Sequence, residues 1–392
     1  MSDVAARFRR ARRPRVLAVH PGAELYGSDR VLLESVAGFV ADDMDVTVVL
    51  PADGPLVAAL RDTGARVEIA PTLVLRKSLV SLRGVPALVG QSVLGAVHAW
   101  RAISRFRPDA VYVSTVTIPL WPVIARLRRT RVMSHVHEAE SSASSTVLRL
   151  LYLPHRAAHA VVVNSEFSRG VIASVDPDLG ERSVVVYNGV AGPAAPSAAR
   201  ENLTGDIRLA YLGRLSPRKG PDLVVEAVIA LRGDGLPVRA DLIGAVFSGY
   251  EWFEDELREK IAAHGLHDAV ALTGFHSDVW PFLDAADIIV IPSRSDEPFG
   301  NTAVEGVLAR RPVIVSDTSG LREAAAGFDS AVTVPADDAA AIADAVRRIA
   351  DEWPEMRDAA ERSAEDAATR LSPERYRREL VERMNALLAP RG

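Results

Sequence analysis

The stretch Pro292-Ser-Arg-Ser-Asp-Glu-Pro-Phe-Gly-Asn-Thr-Ala-Val-Glu305 decides how the fold of this chain is interpreted. It follows an apolar run, 288–291, that is typical of a buried strand, and it leads into residues 302–309, which have the pattern of a helix. Polar groups placed between a strand and a helix lie at the carboxyl end of the strand, where open α/β sheets bind ligands. Gly300 lets a ligand approach the backbone, and the free N–H groups at the start of the helix favour a phosphate.

A second strand-to-helix loop lies upstream of this stretch. Residues 207–212 are predicted to form a strand, Gly213-Arg-Leu-Ser-Pro-Arg-Lys-Gly220 follows it, and a helix is predicted to begin near Pro221. Arg214 offers a planar guanidinium and Lys219 a compact ammonium, which together are suitable partners for a diphosphate. The flanking glycines favour this interpretation over two solvated surface charges.

The two stretches together resemble the retaining glycosyltransferases of family 4, which have the GT-B fold. Glu297 and Glu305, with seven residues between them, resemble the family's E-x7-E signature. Residues 213–220 resemble its G-R-L-x-x-x-K-G phosphate loop. The resemblance covers nearly the whole chain, and the N-terminal half carries it less distinctly. It implies an α/β protein with two Rossmann-like domains, each a doubly wound parallel sheet, that face a central cleft.

The domain organisation follows from length and strand pattern. With 392 residues the chain is longer than one core usually supports, so two domains are expected. We expect a basic N-terminal tail over 1–14, an acceptor domain over 15–190 and a nucleotide-sugar donor domain over 191–372, with helix 373–392 packed on the first domain. The proline-containing segment 191–197 is the expected linker. Short apolar segments rich in Val and Ile, typical of parallel strands, are found at 45–50, 66–70, 110–114, 131–136, 160–164 and 183–187.

The resemblance also implies roles for single residues. His137, in Ser134-His-Val-His-Glu138, is similar to a family histidine that contacts the donor sugar near the reacting carbon. The predicted catalytic residues are His137, Arg214, Lys219 and Glu297. The predicted donor-binding residues are Gly27, Gly213, Gly274, Phe275, Phe299, Gly300, Asn301, Thr302 and Glu305. A purely structural role for His137 and a packed turn position for Phe275 stay open as alternatives.

Composition limits the partners, metal sites and cellular locations that the sequence allows. A net charge of -5 gives no reason to expect nucleic acid as a partner, and the absence of cysteine excludes disulfides and thiolate metal sites. His135 and His137 have no third partner in sequence reach, so they do not predict a metal site, and the resemblance implies that no cofactor is needed. No apolar run reaches the ~20 residues of a membrane span, and no signal peptide is recognisable at the N-terminus. We expect a cytoplasmic protein, or one peripheral at the inner face of a membrane.

Two basic regions leave a membrane contact open. The arginines at 7, 9, 10, 12, 13 and 15 favour a solvated tail, and an arm that meets anionic lipid headgroups is the alternative. Residues 85–100 carry no charge except possible protonation of His98, and basic residues lie before them (Arg76, Lys77, Arg83) and after them (Arg101, Arg105, Arg107). Helical spacing of the apolar residues favours a well-buried helix. The alternative is a helix whose basic surroundings help to dock the protein on a membrane.

The sequence therefore predicts transfer of a sugar from a nucleotide diphosphate sugar to an acceptor, such as a cell-envelope glycan or a lipid-linked one. The resemblance implies that the anomeric configuration is retained and that no divalent metal is needed. Three rivals stay open: a catalytically silent GT-B protein that binds sugar nucleotides or a partner enzyme, a sugar-nucleotide epimerase, and a nicotinamide-dependent dehydrogenase. The last is disfavoured because the glycines of residues 22–27 do not form G-x-G-x-x-G.

Overall fold

The computed structural model of the protein describes residues 12–25, 27–75, 85–139, 143–247 and 249–390. The chain divides into two compact units. The first comprises Met1–Val136, Arg149–Val162 and Arg377–Gly392, and the second comprises His137–Leu148 and Val163–Tyr376. Several basic residues noted in the sequence lie outside the described residues, namely Arg7, Arg9, Arg10, Arg76, Lys77 and Arg83.

The first sheet is built from seven strands in the order β3-β2-β1-β4-β5-β6-β7, and its pairings from β3 to β5 are parallel. The strands are β1 (Arg15–Val19), β2 (Asp45–Leu50), β3 (Arg66–Ile69), β4 (Ala110–Val113), β5 (Arg131–Val136), β6 (Ala160–Val163) and β7 (Ser183–Val185). The helices that alternate with them are α1 (Gly27–Ala41), α2 (Pro55–Asp62), α3 (Val85–Phe106), α4 (Leu120–Leu127), α5 (Ser145–Tyr152), α6 (Glu166–Val175) and α7 (Pro177–Arg182).

The second sheet has six strands in the order β10-β9-β8-β11-β12-β13, and all five pairings are parallel. Its strands are β8 (Ile207–Leu212), β9 (Val238–Ile243), β10 (Val270–Gly274), β11 (Ile288–Ile291), β12 (Val313–Ser316) and β13 (Ala331–Val334). The helices are α8 (Pro221–Gly233), α9 (Glu251–Ala263), α10 (Trp280–Ala285), α11 (Asn301–Leu308), α12 (Ser319–Ala325), α13 (Ala339–Asp351) and α14 (Trp353–Arg370). The last helix of the chain is α15 (Pro373–Leu388).

Apolar layers cover both faces of the second sheet. Leu209 and Tyr211 of β8 pack in one hydrophobic cluster, whereas Ala210 and Leu212 pack in another. Successive side chains of a strand point to opposite faces, so a strand buried on both sides must be apolar throughout. The expected α/β architecture, with two doubly wound parallel sheets, is confirmed.

The order of the strands reverses at one point in each sheet. In the first sheet β1 lies between β2 and β4, and in the second sheet β8 lies between β9 and β11. At such a switch point the connections leave on opposite sides of the sheet, which opens a crevice at the carboxyl ends of the two central strands. In the second sheet the loops that follow these two strands are the stretches 213–220 and 292–300, so both sequence motifs lie at the switch point.

The C-terminal segment Arg377–Gly392 belongs to the first unit. Arg377 donates to Glu34 of α1 at 2.6 Å, and Arg131 donates to the carbonyl of Leu387 at 2.6 Å. On α15 the residues Tyr376, Leu380 and Met384 are all buried. At the other end of the chain, Arg12 pairs with Asp109 at 2.5 Å, so this part of the arginine cluster is held against the first unit.

Helix α3 corrects one expectation. It covers Val85–Phe106, but it is not a well-buried helix. Val89, Val93, Leu94 and Trp100 are each between 46% and 59% exposed. Burial is confined to a different side of the helix, which includes Ala99 and Ile103. Periodicity showed that α3 has an apolar side, but it did not show that apolar residues also cover much of the remaining surface.

Candidate functional site

Arg294 joins the two motif loops of the second sheet. Its guanidinium binds both carboxylate oxygens of Asp222, at the start of α8, at 2.7 Å each. It also donates to the carbonyl of Pro217 at 3.0 Å, and the backbone N–H of Arg294 donates to the carbonyl of Arg218 at 2.9 Å. A bidentate guanidinium–carboxylate pair fixes orientation as well as distance. The loop after β11 is therefore fastened directly to the loop after β8.

Lys219 and Glu297, one from each motif, meet at this junction. The Lys219 Nζ lies 2.9 Å from the Glu297 Oε1, and both side chains are largely buried. The contact is an ion pair. Arg218 lies 3.5 Å from the same oxygen. Burial lowers the pKa of Lys219, Glu297 opposes that shift, and the neighbouring positive charges of Arg218 and Arg214 add to it.

Arg214 follows β8 and is exposed. Its guanidinium lies 4.3 Å from the centre of the Phe247 ring, a cation–π contact, and its carbonyl accepts a hydrogen bond from the Tyr211 hydroxyl at 2.6 Å. The turn beneath it needs glycine, because a Cβ on Gly244 would lie 1.8 Å from the carbonyl oxygen of Gly213. Gly213 itself has φ 155. Residues 244–247 thus contact the loop 213–220.

The helix N-terminus predicted at residue 302 lies one residue earlier, at Asn301. Gly300 precedes it with φ 130, a conformation that favours glycine, and a Cβ there would come within 2.7 Å of Leu321. The Asn301 side-chain oxygen accepts from Asn188 at 2.9 Å. Thr302 occupies the first turn of α11 and Glu305 the second, half-buried. The free N–H groups of this first turn suit a phosphate oxygen.

Phe299 differs from the other predicted donor-binding residues. Its side chain is 2% exposed and packs in the core of the second unit, with its ring 5.6 Å from that of Tyr187. A contact of Phe299 with a donor therefore has to come from its main chain. Gly274 ends β10 with φ 81, and Phe275 after it is 56% exposed, so this side chain is not a packed turn residue.

Helix α12 packs against the Glu297 loop, a contact that the sequence did not reveal. A Cβ on Gly320 would lie 1.9 Å from the carbonyl oxygen of Glu297 and 2.8 Å from the backbone nitrogen of Phe299. Asp296 accepts hydrogen bonds from Ser319, from the backbone N–H at 3.2 Å and from the hydroxyl at 2.7 Å. The only signal in the sequence was the pair Ser319-Gly320 itself, whose spacing from Glu297 carries no periodicity.

Helix α6 holds the same loop from another side. The hydroxyls of Ser165, its N-cap, and of Ser168 both donate to the carbonyl of Pro298. Glu323 of α12 accepts hydrogen bonds from the backbone N–H groups of Glu166 and Phe167, at 2.7 and 3.1 Å. Burial, with a hydrogen bond to Glu323, raises the pKa of Tyr187 to about 12. The loop between β11 and α11 is thus positioned by two helices.

His137 follows β5 and is grouped with the second unit. It is 7% exposed, and its backbone N–H donates to Glu138 at 3.1 Å. His135, two residues earlier, is fully buried with its Nδ1 2.7 Å from the Tyr112 hydroxyl. Gly27 is the first residue of α1, in the first unit. The roles predicted for His137 and Gly27 stay predictions.

Two absences concern only the residues that the structure describes. Within them no group of three or more His, Asp or Glu side chains is arranged to hold a metal ion. In the same residues no helix has the length and apolar character that crossing a membrane requires.

Comparison with known families matches both halves of the chain. A family model described as Glycosyltransferase Family 4 matches residues 26–191, and one described as Glycosyl transferases group 1 matches residues 197–366. A Rhizobium meliloti protein, the lipopolysaccharide core biosynthesis mannosyltransferase LpsB, is 34% identical over 37% of this chain and 41% of its own length. Glycogen synthase of Mycobacterium tuberculosis is 33% identical over 50% of this chain and 45% of its own length. The chain thus spans less than half the length of these two relatives.

Solved structures share the fold over almost the full length. The Anabaena protein HepE in complex with UDP-glucose has a TM-score of 0.81 at 20% identity, covering 95% of this chain and 99% of HepE. The lipopolysaccharide outer core galactosyltransferase WaaB in its apo form has a TM-score of 0.72 at 14% identity, covering 95% and 99%. At these identities the similarity shows the fold, and the roles of single residues rest on the geometry described above.

Proposed function

We propose a function for this chain, which belongs to the GT-B glycosyltransferases of the group 1 and family 4 type. It transfers a sugar from a nucleotide diphosphate sugar to an acceptor and retains the anomeric configuration. The acceptor is a glycan, free or lipid-linked. Support for the donor class comes from HepE, whose solved complexes hold UDP and UDP-glucose, and support for a glycan acceptor comes from relatives named for lipopolysaccharide core biosynthesis.

The observation that carries the proposal is the 2.9 Å contact between the Lys219 Nζ and the Glu297 Oε1. Lys219 of the phosphate loop and Glu297, the first acid of the E-x7-E stretch, thereby meet at the switch point of a parallel sheet. A sugar diphosphate has both an anionic group and hydroxyls near the bond that breaks. A buried cation beside a buried carboxylate supplies one partner for each.

The reaction places negative charge on the departing diphosphate. Lys219, Arg214 and the free N–H groups at the start of α11 stabilise that charge in the transition state, which is commonly the largest catalytic effect in such sites. Glu297 accepts hydrogen bonds from the donor sugar and orients its anomeric carbon. Glu305 accepts from the nucleotide ribose, and His137 contacts the sugar. Because three positive groups converge on the diphosphate, the proposal needs no divalent ion.

Binding is tested first. UDP-, GDP- and ADP-sugars are screened for the increase in melting temperature that a ligand bound only to the folded state produces. The stabilising donor is then incubated with glycan and lipid-linked acceptors, with and without EDTA. Product NMR reports the anomeric configuration. An inverted product would contradict retention, and loss of turnover in EDTA would contradict metal independence.

Variants test the roles of the cations. Lys219→Ala and Arg214→Ala should each reduce turnover by ~10²-fold or more with the fold intact, because each removes a transition-state partner. Lys260→Ala and Arg258→Ala, on α9, are matched controls that should keep normal rates. Near-normal turnover in both site variants would refute the phosphate assignment. An epimerised donor without acceptor would indicate an epimerase, and donor binding without any reaction would indicate a silent protein.

A further inference from the structure

One side of helix α3 is packed on the first unit. Gly95 faces the neighbouring segments so closely that a Cβ there would lie 3.0 Å from the backbone nitrogen of Leu73 and 3.4 Å from Leu120 of α4. Ala99 and Ile103, one and two turns further along, are buried. Gly95, Ala99 and Ile103 therefore identify the side of α3 that packs against the rest of the first unit.

A neighbouring side carries an apolar stripe that stays exposed among the residues that the structure describes. It consists of Val89, Val93, Val97 and Trp100, which follow at intervals of four, four and three residues and so lie on one side of the helix. Val93 is 59% exposed and Trp100 is 46% exposed. Single exposed apolar residues are ordinary, but an aligned row ending in tryptophan marks an interaction surface.

Helix α4 extends this surface. The guanidinium of Arg128, which directly follows α4, lies 4.5 Å from the centre of the Trp100 ring. Leu127, next to it in sequence, is 68% exposed, and Val123 one turn earlier is 39% exposed. The stripe on α3 is thus continued at its tryptophan end by the C-terminal end of α4.

The charged side chains of α3 and of the α4 segment all have one sign. The segments 85–106 and 120–130 contain no Asp or Glu. They contain Arg101, Arg105, Arg126, Arg128 and Arg129, all exposed. Arg105 is paired with Glu68, which leaves Arg101 and the α4 group as the main local charge. This local excess is notable because the whole chain has a net charge of -5.

We propose that α3 and the end of α4 dock the protein on a bilayer that contains anionic lipids. The helix lies in the plane of the interface, its stripe enters the acyl boundary, Trp100 sits at headgroup depth, and the arginines bind headgroup phosphates. A second copy of this chain fits the surface poorly, because a two-fold contact through it would bring the same arginine groups together. The inference does not rest on the proposed sugar transfer, since binding is measured without donor.

Sedimentation with vesicles tests the proposal. The full chain should bind phosphatidylcholine vesicles that contain phosphatidylglycerol, bind pure phosphatidylcholine at least tenfold more weakly, and lose affinity as salt is raised. The double variant Val93→Asp/Val97→Asp and the single variant Trp100→Ser should each bind at least tenfold more weakly. Trp252→Ser, at a similarly exposed position on α9, is the matched control and should bind normally.

Charge and depth are tested separately. Arg101→Glu/Arg128→Glu should abolish binding, whereas Arg362→Glu/Arg383→Glu, the same change in charge elsewhere on the surface, should retain it. Brominated lipid should quench tryptophan fluorescence in Trp252→Phe but much less in Trp100→Phe, a conservative change that leaves the helix intact. Absence of binding to anionic vesicles at low salt would overturn the proposal. So would equal binding by the stripe variants, or a concentration-dependent dimer that Val93→Asp/Val97→Asp dissociates.

Discussion

At the scale of single residues, Lys219 is subject to two opposing effects. Burial favours its neutral form and lowers its pKa, while the carboxylate of Glu297 favours the ammonium and raises it. A lysine that binds a diphosphate must be protonated, so the site depends on this carboxylate in two ways. Glu297 forms an ion pair with Lys219. Its negative charge also keeps Lys219 protonated, which is the form that binds an anion.

The pH dependence of turnover follows from these effects. The value of kcat/KM, which reports groups of the free enzyme, should fall as pH rises through the lowered pKa of Lys219, at a pH below the 10.5 of an ordinary lysine. Glu297→Gln should move this alkaline limb to still lower pH, because it removes the group that raises the pKa. Lys219→Arg should remove the limb, since a guanidinium stays charged. Initial rates measured against pH for the three proteins test this, and an identical limb in all of them would contradict the assignment.

Phe247 is predicted to position Arg214 without touching the diphosphate. Its ring lies 4.3 Å beneath the guanidinium, and such contacts at exposed sites are worth about 0.5–1 kcal/mol. Phe247→Ala should therefore reduce kcat/KM roughly two- to fivefold, and Phe247→Trp should restore it. Tyr250→Ala, which removes an exposed aromatic ring from the same loop, serves as the control. If the Phe247 and Tyr250 variants lose the same activity, the effect belongs to the loop as a whole.

At the scale of elements, the Glu297 loop is shaped by helices that touch it from outside the motif. The backbone of Gly320 in α12 approaches the loop so closely that a side chain there would overlap the Glu297 carbonyl. Ser165 of the α6 N-cap binds the next carbonyl along, that of Pro298. Contacts from these two helices hold the loop in its conformation, which makes its geometry sensitive to substitutions in α12.

Gly320→Ala should reduce turnover at least tenfold, because the loop must move by more than an ångström to make room for the methyl group and a misplacement of this size is costly to catalysis. Gly170→Ala is the matched control, as it lies in α6 with no atom within 4 Å of the added carbon. It should keep full turnover and gain roughly 0.5–1 kcal/mol of stability. Kinetics and urea unfolding of both proteins are the measurements, and unchanged turnover in Gly320→Ala would contradict the supporting role of α12.

The same contacts show what the sequence could and could not predict. The strands, the order of the motifs and the Lys219–Glu297 neighbourhood follow from local pattern, because parallel strands place their carboxyl ends together. Arg294 lies within the motif stretch 292–305, yet its pairing with Asp222 depends on how two loops that are distant in sequence meet. The contacts of Gly320 and Ser165 with the Glu297 loop likewise depend on how distant segments meet. For α3, the pattern identified the helix, but how much of it the rest of the unit covers depends on tertiary packing.

At the scale of the whole molecule, a buried histidine of the first unit makes stability depend on pH in the acid range. His155 is fully buried in the first unit, with its Nδ1 2.9 Å from the Ser134 hydroxyl and its Nε2 3.3 Å from the Val116 carbonyl. Burial lowers its pKa to about 4, from 6.5. The native state therefore keeps this imidazole neutral at a pH where the unfolded chain already protonates it.

This difference destabilises the fold as pH falls. The contribution of His155 is fully present above pH 6.5 and is lost as pH falls towards 4, a loss of about 3 kcal/mol at 1.36 kcal/mol for each unit of pKa. His155→Gln should be less stable than the parent at pH 7, because it disturbs two buried hydrogen bonds, but it should lose less stability between pH 7 and 4. Urea titrations of both proteins across this range measure the two slopes. Parallel slopes would mean that the native and unfolded states protonate His155 at the same pH and that the acid sensitivity of the molecule arises elsewhere.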